Sequence, residues 1–446
     1  MTEVSLSDIL LAREERARLQ SDIIKRFDCP IISYTMNIAG PRKNSSLISR
    51  AFTLGIEELD SSINPEKIIF KHIDAVQSTG PLAIYAINED PEKLKGICVK
   101  IEEKTAMGRL FDMDVIDKSF KKLTRTSERG CVVCGAPGRA CAASRAHSVD
   151  EIVARMNGIM ISELFMHDSG RIAELVHESL LREVKTTPKP GLVDLRNNGS
   201  HKDMTVATFE KSADVLRGFF TECLTIGRNT FELPHNNTFT SLRKAGISAE
   251  QRMYEATVGV NTHKGVIFSF GIICGAIGRL WQSECIIPDV DAILVEAGEI
   301  AKSAIDIDLA NAQGSTAGER MYLLSGKGGI RHEAASGFIT VRDTSLPVFR
   351  NLIASGKSLN DAGAITLVHL VANLDDTSIY NRGGIDGLEF AKEYARDLLK
   401  NQTIPTISMI EAMDEIFIHK NISAGGSADL LAITYFLYEL EKIATS

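Results

Sequence analysis

The strongest constraint on the fold is the hydrophobic spacing of residues 166–446, which is helical almost throughout. Between Ile172 and Val184, apolar residues recur every three or four positions and so share one face of a helix. Residues 265–281 are apolar nearly all round, which predicts a helix buried at the centre of a domain. A capping box at Ser248 and Gln251 predicts the start of another helix. The remaining predicted helices cover residues 290–304, 359–372, 388–400 and 430–443.

Residues 1–165 show a different pattern, in which helix-like and strand-like segments are mixed. Helices are predicted at residues 4–19 and 48–59, and strands at residues 82–87, 97–101 and 110–116. The predicted fold class is therefore an α+β N-terminal domain, residues 1–165, followed by a larger all-α C-terminal domain, residues 166–446. We expect the junction near His167–Gly170, with no long flexible linker.

Charge and composition exclude several classes of protein. The formal net charge is −8, and residues 1–165 hold 23 basic and 23 acidic side chains, so the whole excess lies in the second region. Such a chain lacks the broad basic surface that non-specific nucleic-acid binding needs. The N-terminal segment does not resemble a signal peptide, and the longest apolar stretch is too short and too rich in glycine for a membrane span. Eight scattered cysteines suit free thiols in a reducing compartment. We therefore expect a cytoplasmic protein with neither a nucleic-acid nor a membrane partner.

The predicted strand at residues 110–116 carries two carboxylates, Asp112 and Asp114. Alternate residues of a strand share a face, so these two side chains should lie a few ångströms apart. Carboxylates at this spacing suit Mg²⁺ together with substrate phosphates, although an acidic solvated strand face fits equally well. Upstream, Arg42 and Lys43 precede a predicted helix and would suit a phosphate, but an ordinary helix cap explains them without a ligand.

Three cysteines and a histidine follow this strand: Cys131, Cys134, Cys141 and His147. Three thiolates and one imidazole could complete a tetrahedral zinc site. The middle spacing is short and rich in glycine, unlike that of common zinc ribbons. The sequence therefore favours reduced thiols over zinc.

The first region resembles the citrate lyase holo-acyl-carrier-protein synthase family over most of residues 1–160. The resemblance rests on the segments SDILLAREERARLQ, SYTMNIAGPRKNS, GRLFDMDVID and CVVCGAPGRACAASRAHSVDEI. It implies transfer of a phosphoribosyl-dephospho-coenzyme A group to a serine of the acyl carrier protein of apo-citrate lyase, with release of pyrophosphate. With this chemistry in mind, we assign Asp112 and Asp114 to Mg²⁺, and Arg42, Lys43 and Arg109 to phosphates.

The helical region contains six short polar segments, rich in glycine, at helix boundaries. They cover residues 189–204, 259–265, 314–320, 329–334, 375–377 and 425–429. Helix N-termini offer free N–H donors and a positive dipole end, and glycine lets a phosphate approach the backbone. Ordinary helix capping uses the same residue types. The residues expected to bind substrate or phosphate are His201, Lys202, Asn261, His263, Lys264, Gly314, Arg320, Arg331 and Ser427.

These segments resemble the triphosphoribosyl-dephospho-coenzyme A synthase family over about residues 170–440. The matching motifs are KPGLVD, NNGSHKDM, GVNTHKG, GSTAGERMY, GIRHEA, DDT and GGSADLLA, with Ala424 where the family pattern has proline. The resemblance implies that ATP and 3′-dephospho-coenzyme A are joined through the ATP ribose and that adenine leaves. A carboxylate base should activate the attacking hydroxyl, and the candidates are Asp194, Asp203, Glu319 and Asp429. Asp375 and Asp376 could hold Mg²⁺ on the triphosphate or form a solvated turn.

Two other functions remain open at this stage. The helical domain could instead be a nucleoside or ADP-ribose glycohydrolase that passes the ribosyl group to water. The whole chain could also be a non-catalytic chaperone of citrate lyase with a nucleotide-sensing domain. The first alternative predicts adenine release from ATP without dephospho-coenzyme A, and the second predicts binding without turnover.

Overall fold

A computed structural model describes residues 3–125, 128–283, 288–310, 312–326, 328–401 and 404–445. The chain divides between His167 and Asp168 into two compact units. This division falls inside a continuous helix, α5 (Val149–Lys185). Within the described residues, no helix combines the length and the apolar character needed to cross a membrane.

The first unit is an α+β structure built on one antiparallel sheet. Its strands are β1 (Ile31–Met36), β2 (Ile68–Asp74), β3 (Leu82–Ile87) and β4 (Phe111–Ile116), and their order in the sheet is β2-β3-β1-β4. Its helices are α1 (Leu6–Phe27), α2 (Ser46–Ser62), α3 (Pro91–Lys104), α4 (Gly138–Ser144) and the first part of α5. The central strand β1 pairs with both β3 and β4, and Tyr34 on β1 stacks on Phe52 of α2 at a ring distance of 4.5 Å. Aromatic packing of this kind joins α2 to the sheet.

The predicted α+β class of this unit is confirmed, but one predicted strand is wrong. Residues 97–101 belong to helix α3, which begins with Pro91 at its first turn. Leu94, Cys98 and Ile101 are buried at helical spacing, whereas the alternation of Ile97, Val99 and Ile101 covers only five residues. A window this short does not distinguish a period of two from the helical period.

The second unit is helical, as predicted. Beyond the second part of α5, its helices are α6 (Val206–Asn229), α7 (His235–Ala256), α8 (Lys264–Leu280), α9 (Val290–Ala310), α10 (Ala317–Ser325), α11 (Gly329–Ala335), α12 (Leu346–Ala354), α13 (Leu359–Asn373), α14 (Thr377–Asn401), α15 (Ile407–His419) and α16 (Gly425–Thr445). The capping box expected at Ser248 is wrong, because Ser248 lies inside α7 and its hydroxyl donates to the carbonyl of Lys244 at 3.5 Å. The start of α7 instead follows Pro234.

Helix α8 is buried at the centre of this unit, as its all-round apolar character predicted. It crosses α6 so closely that glycine is required on both helices. A Cβ added at Gly278 would overlap the carbonyl oxygen of Leu224, and one added at Gly227 would overlap that of Gly275. Small residues at a helix crossing let the two backbones approach each other.

Replacing Gly278 with alanine should therefore destabilise the protein by about 1–3 kcal/mol, since the new methyl group must displace the backbone of α6. Gly218 on α6 is the matched control, because a Cβ there meets no atom within 4 Å. Gly218→Ala should leave stability unchanged or raise it by up to about 1 kcal/mol through helix propensity. Denaturant unfolding of both variants measures the difference, and equal stabilities would contradict the proposed close crossing.

Candidate active sites

Strand β4 of the first unit presents two carboxylates on one face. Phe111, Met113 and Val115 are buried, whereas the side chains of Asp112 and Asp114 are 46% and 27% exposed. Asp114 lies 2.5 Å from the ammonium of Lys122, and Asp112 lies 3.6 Å from the guanidinium of Arg129. The strand alternation therefore brings the two predicted carboxylates together beside cations.

Helix α3 supports this strand from the edge of the sheet. The carboxylate of Glu102, fully buried, accepts the N–H of Met113 at 2.8 Å, and the ammonium of Lys95 donates to the carbonyl of Met113 at 3.0 Å. Glu102 also pairs with Arg129 and lies 3.5 Å from Arg125. One buried acid thus fixes the strand and orients two arginines, which offsets the cost of burying its charge.

A cavity of about 1310 Å³ opens beside these carboxylates. Three acidic side chains line it: Asp112, Asp114 and Glu128. Seven basic side chains also line it: Lys95, Arg109, Lys122, Arg125, Arg129, Arg139 and Arg145. The excess of positive charge suits a ligand that carries several phosphates.

Of the three cations assigned from sequence in this unit, the cavity includes Arg109 but neither Arg42 nor Lys43. The ammonium of Lys43 donates to the carbonyl of Ile38 at 2.6 Å, and burial lowers its pKa. Arg42 is exposed. The N-terminus of α2 is capped by the hydroxyl of Ser45, which accepts the N–H of Ile48 at 3.2 Å. These contacts favour the helix-cap interpretation of this segment.

The four predicted zinc ligands lie together in the structure. The ligand atoms of Cys131, Cys134, Cys141 and His147 are all within 4.8 Å of one another. Hydrogen bonds from the N–H groups of Cys134 and Val133 lower the pKa of the Cys131 thiol to about 6. Cys141 donates its S–H to Cys131 at 3.4 Å, and that bond raises the pKa of Cys141 to about 12. The set has the composition and the proximity of a zinc site, contrary to the preference drawn from its spacing.

In the second unit, two helices begin at the same buried polar region. A Cβ added at Gly265, in the first turn of α8, would overlap the Oδ2 of Asp429, the fifth residue of α16. Helix α14 begins beside them, because Asp376 just before it accepts the N–H groups of Gly426 at 3.2 Å and Ser427 at 2.7 Å. Three of the polar segments identified from sequence therefore converge here.

Asp429 has the most perturbed carboxylate of this region. Burial raises its pKa well above the usual value, and the neighbouring charges of Glu183 and Asp376 add to the effect. Among the described residues, no hydrogen bond or ion pair to Asp429 is made. A half-buried carboxylate with a raised pKa and no partner among the described residues has the properties of a general base.

A buried ion pair and two histidines complete this region. Lys189 donates to Glu183 at 2.5 Å. Burial lowers the pKa of both His201 and His263; the charge of Lys189 adds to this effect at each histidine, and that of Arg382 adds to it at His201. Burial, the larger effect, lowers the pKa of His263 to about 3. The Nδ1 of His263 bonds to the hydroxyl of Ser212 at 2.7 Å, while its buried Nε2 has no partner. His263 is therefore neutral and keeps one ring nitrogen free for a ligand.

We define the buried polar cluster as Glu183, Lys189, His263, Asp376 and Asp429, of which Asp429 alone is partly exposed. His201 lies beside it, with Nε2 2.8 Å from the hydroxyl of Ser423 and Nδ1 3.1 Å from Arg382. Sequence analysis missed Glu183, Lys189 and Arg382. Lys189 stands in the KPGLVD segment and could have been found there, whereas Glu183 and Arg382 lie within helices and outside every motif.

The other three candidate bases have different surroundings. Asp194 accepts the N–H groups of Lys189, Arg196 and Asn197 at 3.0, 2.7 and 3.0 Å, so it organises its own loop. Glu319 accepts the hydroxyl of Ser315 at 2.7 Å, which lowers its pKa. Asp203 is exposed. Of the four candidates, only Asp429 is half-buried and receives no hydrogen bond or ion pair from a described residue.

The two predicted metal ligands of this unit already have protein partners. Asp375 accepts the ammonium of Lys392 at 2.6 Å. Asp376 is buried and also accepts the hydroxyl of Ser427 at 2.9 Å. These contacts favour a structural role for Asp376, which joins the N-termini of α14 and α16.

The remaining predicted phosphate ligands lie at the surface or in helix caps. Lys264 pairs with Glu250 at 2.9 Å, and Asn261 accepts the N–H of Lys264 at 3.3 Å. Arg320 donates to the carbonyl of Gly314 at 3.2 Å, and Arg331 lies 3.7 Å from Glu319. Lys202 is exposed.

Each of the two units matches a known protein family. Residues 4–163 match the CitX family, described as apo-citrate lyase phosphoribosyl-dephospho-CoA transferase. Residues 169–446 match the CitG family, described as ATP:dephospho-CoA triphosphoribosyl transferase.

Curated relatives carry both parts in one chain. Protein CitXG of Haemophilus influenzae is 37% identical over 456 residues, which cover 98% of this chain and 96% of the relative. Protein CitXG of Leuconostoc mesenteroides subsp. cremoris is 30% identical over 98% of this chain and 97% of the relative. The 2-(5''-triphosphoribosyl)-3'-dephosphocoenzyme-A synthase of Haemophilus ducreyi is 38% identical over 69% of this chain and 99% of that protein. The chain therefore belongs to the CitXG family and is a transferase of citrate lyase prosthetic-group biosynthesis.

The raised pKa of Asp429 gives a stability test. Between the usual pKa of an aspartic acid and this raised value, the folded chain binds a proton that the unfolded chain has lost. Stability therefore falls as the pH rises through this interval. Asp429→Asn removes the free-energy cost of ionising this carboxyl in the folded protein. The melting temperature of the variant should therefore exceed that of the wild type near neutral pH and match it near pH 3. A pH series of thermal unfolding curves measures this, and a variant less stable at every pH would contradict the assigned environment.

Proposed function

We propose that the second unit joins ATP to 3′-dephospho-coenzyme A at the buried polar cluster. The observation that carries this proposal is Asp429, a half-buried carboxylate without a partner among the described residues, close to the points where α8 and α16 begin. Membership of the CitXG family supports the substrates, because the CitG part is described as an ATP:dephospho-CoA triphosphoribosyl transferase. The product is triphosphoribosyl-dephospho-coenzyme A, and adenine is released.

In this reaction the 2′-hydroxyl of dephospho-coenzyme A attacks the anomeric carbon of the ATP ribose. Asp429 accepts the hydroxyl proton as the new carbon–oxygen bond forms, and the bond from that carbon to adenine breaks. A single displacement inverts the β configuration of ATP and passes through a transition state that resembles an oxocarbenium ion. A base with a raised pKa suits proton transfer near neutral pH.

The neighbours of Asp429 would bind and orient the two substrates. The free Nε2 of His263 offers a polar contact in a buried position, and the neutral ring adds no charge. Arg382 and His201 would bind phosphate. The guanidinium of Arg382 is held in place because it donates to the carbonyl of Ser200 at 2.9 Å and contacts His201.

We propose that the first unit then attaches the group to a serine of the acyl carrier protein of citrate lyase. The serine oxygen attacks the phosphorus next to the ribose, and pyrophosphate leaves. The basic side chains of the cavity bind the polyphosphate, with Arg125 and Arg129 fixed through Glu102. Asp112 and Asp114 have the donor chemistry for Mg²⁺, which would neutralise charge on the leaving pyrophosphate.

Incubating the protein with ATP, with and without dephospho-coenzyme A, distinguishes the proposed transfer from the hydrolase alternative for the second unit. The proposed reaction releases adenine from ATP only when dephospho-coenzyme A is present. A glycohydrolase would release adenine from ATP and water alone. Adenine release without dephospho-coenzyme A, at the rate seen with it, would overturn the proposed transfer.

Asp429→Asn should lower adenine release in the first reaction by about 10²–10⁴-fold, because the amide cannot accept the hydroxyl proton. Asp397→Asn is the matched control: Asp397 is on α14 in the same unit, and its side chain is 68% exposed. The control should keep wild-type activity. Adenine release followed by chromatography measures both variants, and an Asp429→Asn rate within threefold of the wild type would exclude Asp429 as the base.

Asp112→Asn should reduce modification of the carrier protein by at least about 10²-fold and raise the Mg²⁺ concentration needed for half-maximal rate. Asp22→Asn on α1 is the control, because Asp22 is exposed and lies outside the cavity lining. The measurement is the mass of apo carrier protein after incubation with purified triphosphoribosyl-dephospho-coenzyme A. Unchanged modification by Asp112→Asn would exclude a metal role, and adenine release should be unaffected.

A further inference from the structure

The segment from Thr124 into the first turns of α5 has no hydrophobic anchor of its own, although Leu123 just before it is buried. From Thr124 to Arg155, none of the described residues is buried, and α4 within this segment has no buried side chain. Yet this segment supplies four arginines to the cavity: Arg125, Arg129, Arg139 and Arg145. Glu102 holds Arg125 and Arg129, but ordering the rest of the segment needs a further interaction that offsets the lost conformational entropy.

Three separate pieces of this segment bring the four zinc-type ligands together. Cys131 and Cys134 lie on a tight turn that ends at Gly135, whose φ is +76°. Within it the N–H of Val133 donates to the Sγ of Cys131 at 3.4 Å, and the N–H of Gly135 donates to the Cys131 carbonyl at 2.9 Å. Cys141 comes from α4, and His147 immediately precedes the capping box of Ser148 and Glu151 at the start of α5.

The four ligand atoms have the spacing of a metal site. They all lie within 4.8 Å of one another, and the Sγ atoms of Cys131 and Cys141 are 3.4 Å apart. With zinc–sulfur bonds of about 2.3 Å, the sulfurs of a regular tetrahedron are separated by about 3.8 Å. A second observation points to a ligand independently: the Nε2 of His147 is buried and has no hydrogen-bond partner. Burying an imidazole nitrogen without a partner is costly unless another atom binds it.

The geometry points to a structural zinc site formed by Cys131, Cys134, Cys141 and the Nε2 of His147. Three thiolates and a neutral imidazole saturate a tetrahedral Zn²⁺ ion, so no position is left for water or substrate. On binding, the ion displaces the thiol protons to solvent. Its role is to fold the segment that carries the cavity arginines, as metals do in small units without a sufficient apolar core.

The first test is the metal content of the full-length protein purified without chelators. We expect about one zinc ion per chain by mass spectrometry of the metal. Cys134→Ser and Cys141→Ser should lose it, while Cys98→Ala should keep it, because Cys98 is buried in α3 outside the cluster. A wild-type protein without zinc even after refolding in its presence, or a Cys98→Ala variant that loses the metal equally, would overturn the proposal.

A second measurement uses only the wild-type chain and does not depend on the folding of variants. Co²⁺ in place of zinc should give the intense visible absorption of a tetrahedral site with thiolate ligands. Titration with a mercurial reagent should release the zinc as three thiols are blocked. Release without thiol modification, or an octahedral cobalt spectrum, would contradict the ligand set.

The effect on activity rests on the proposed function and is separable from the metal site itself. Removing zinc should reduce carrier modification at least tenfold and leave adenine release from ATP and dephospho-coenzyme A unchanged. Equal loss of both reactions would exclude a local role for zinc in the cavity wall. If the protein binds one zinc ion per chain but its removal leaves carrier modification unchanged, the metal site stands and only its proposed effect on the cavity is wrong.

Discussion

The second unit depends on a close approach between two helix N-termini, where Gly265 of α8 leaves room for the carboxylate of Asp429 on α16. Partial burial of this carboxylate without a partner among the described residues disfavours its charged form and raises its pKa. The surrounding contacts hold it in place, because Asp376 binds the first turn of α16 through Gly426 and Ser427. A carboxylate whose charged form is disfavoured, but which the surrounding hydrogen bonds hold in position, is typical of a catalytic site.

In the first unit, the candidate site combines a few carboxylates with a larger number of basic side chains. Its carboxylates on β4 lie at the edge of a cavity whose other charged side chains are mostly basic. Glu102 beneath them connects the sheet to Arg125 and Arg129, so the positive side of the cavity is coupled to a buried acid on α3. Such coupling restricts the arginine side chains before a ligand arrives, which lowers the entropic cost of binding.

Sequence patterns were informative wherever the chemistry and the element periodicity coincided. The strand alternation placed Asp112 and Asp114 on one face, and the all-round apolar character of α8 predicted its burial. The same reasoning could not rank four candidate bases, because the distinction lies in which carboxylates find partners after folding. Asp194 does so within its own loop, whereas no described residue makes a hydrogen bond or ion pair to Asp429.

The arginines of the cavity and the zinc-type cluster were harder to predict for related reasons. Arg129, Arg139 and Arg145 lie in a segment without helical or strand periodicity, so nothing in the pattern indicates that they face β4. The short spacing between Cys134 and Cys141 argued against zinc, yet one turn and one short helix bring both thiols to His147. Residue spacing measures distance along the chain, and tertiary folding decides distance in space.

The contacts that α3 makes with Met113 have a consequence for association with other chains. Strand β4 is an edge strand of the sheet. The outer N–H and C=O groups of an edge strand can pair with a strand of another chain unless they are covered. Lys95 and Glu102 already bind the carbonyl and the N–H of Met113 at that edge. The backbone groups of Met113 at this edge are therefore unavailable for pairing with another chain, even though an open, charged cavity lies beside the strand.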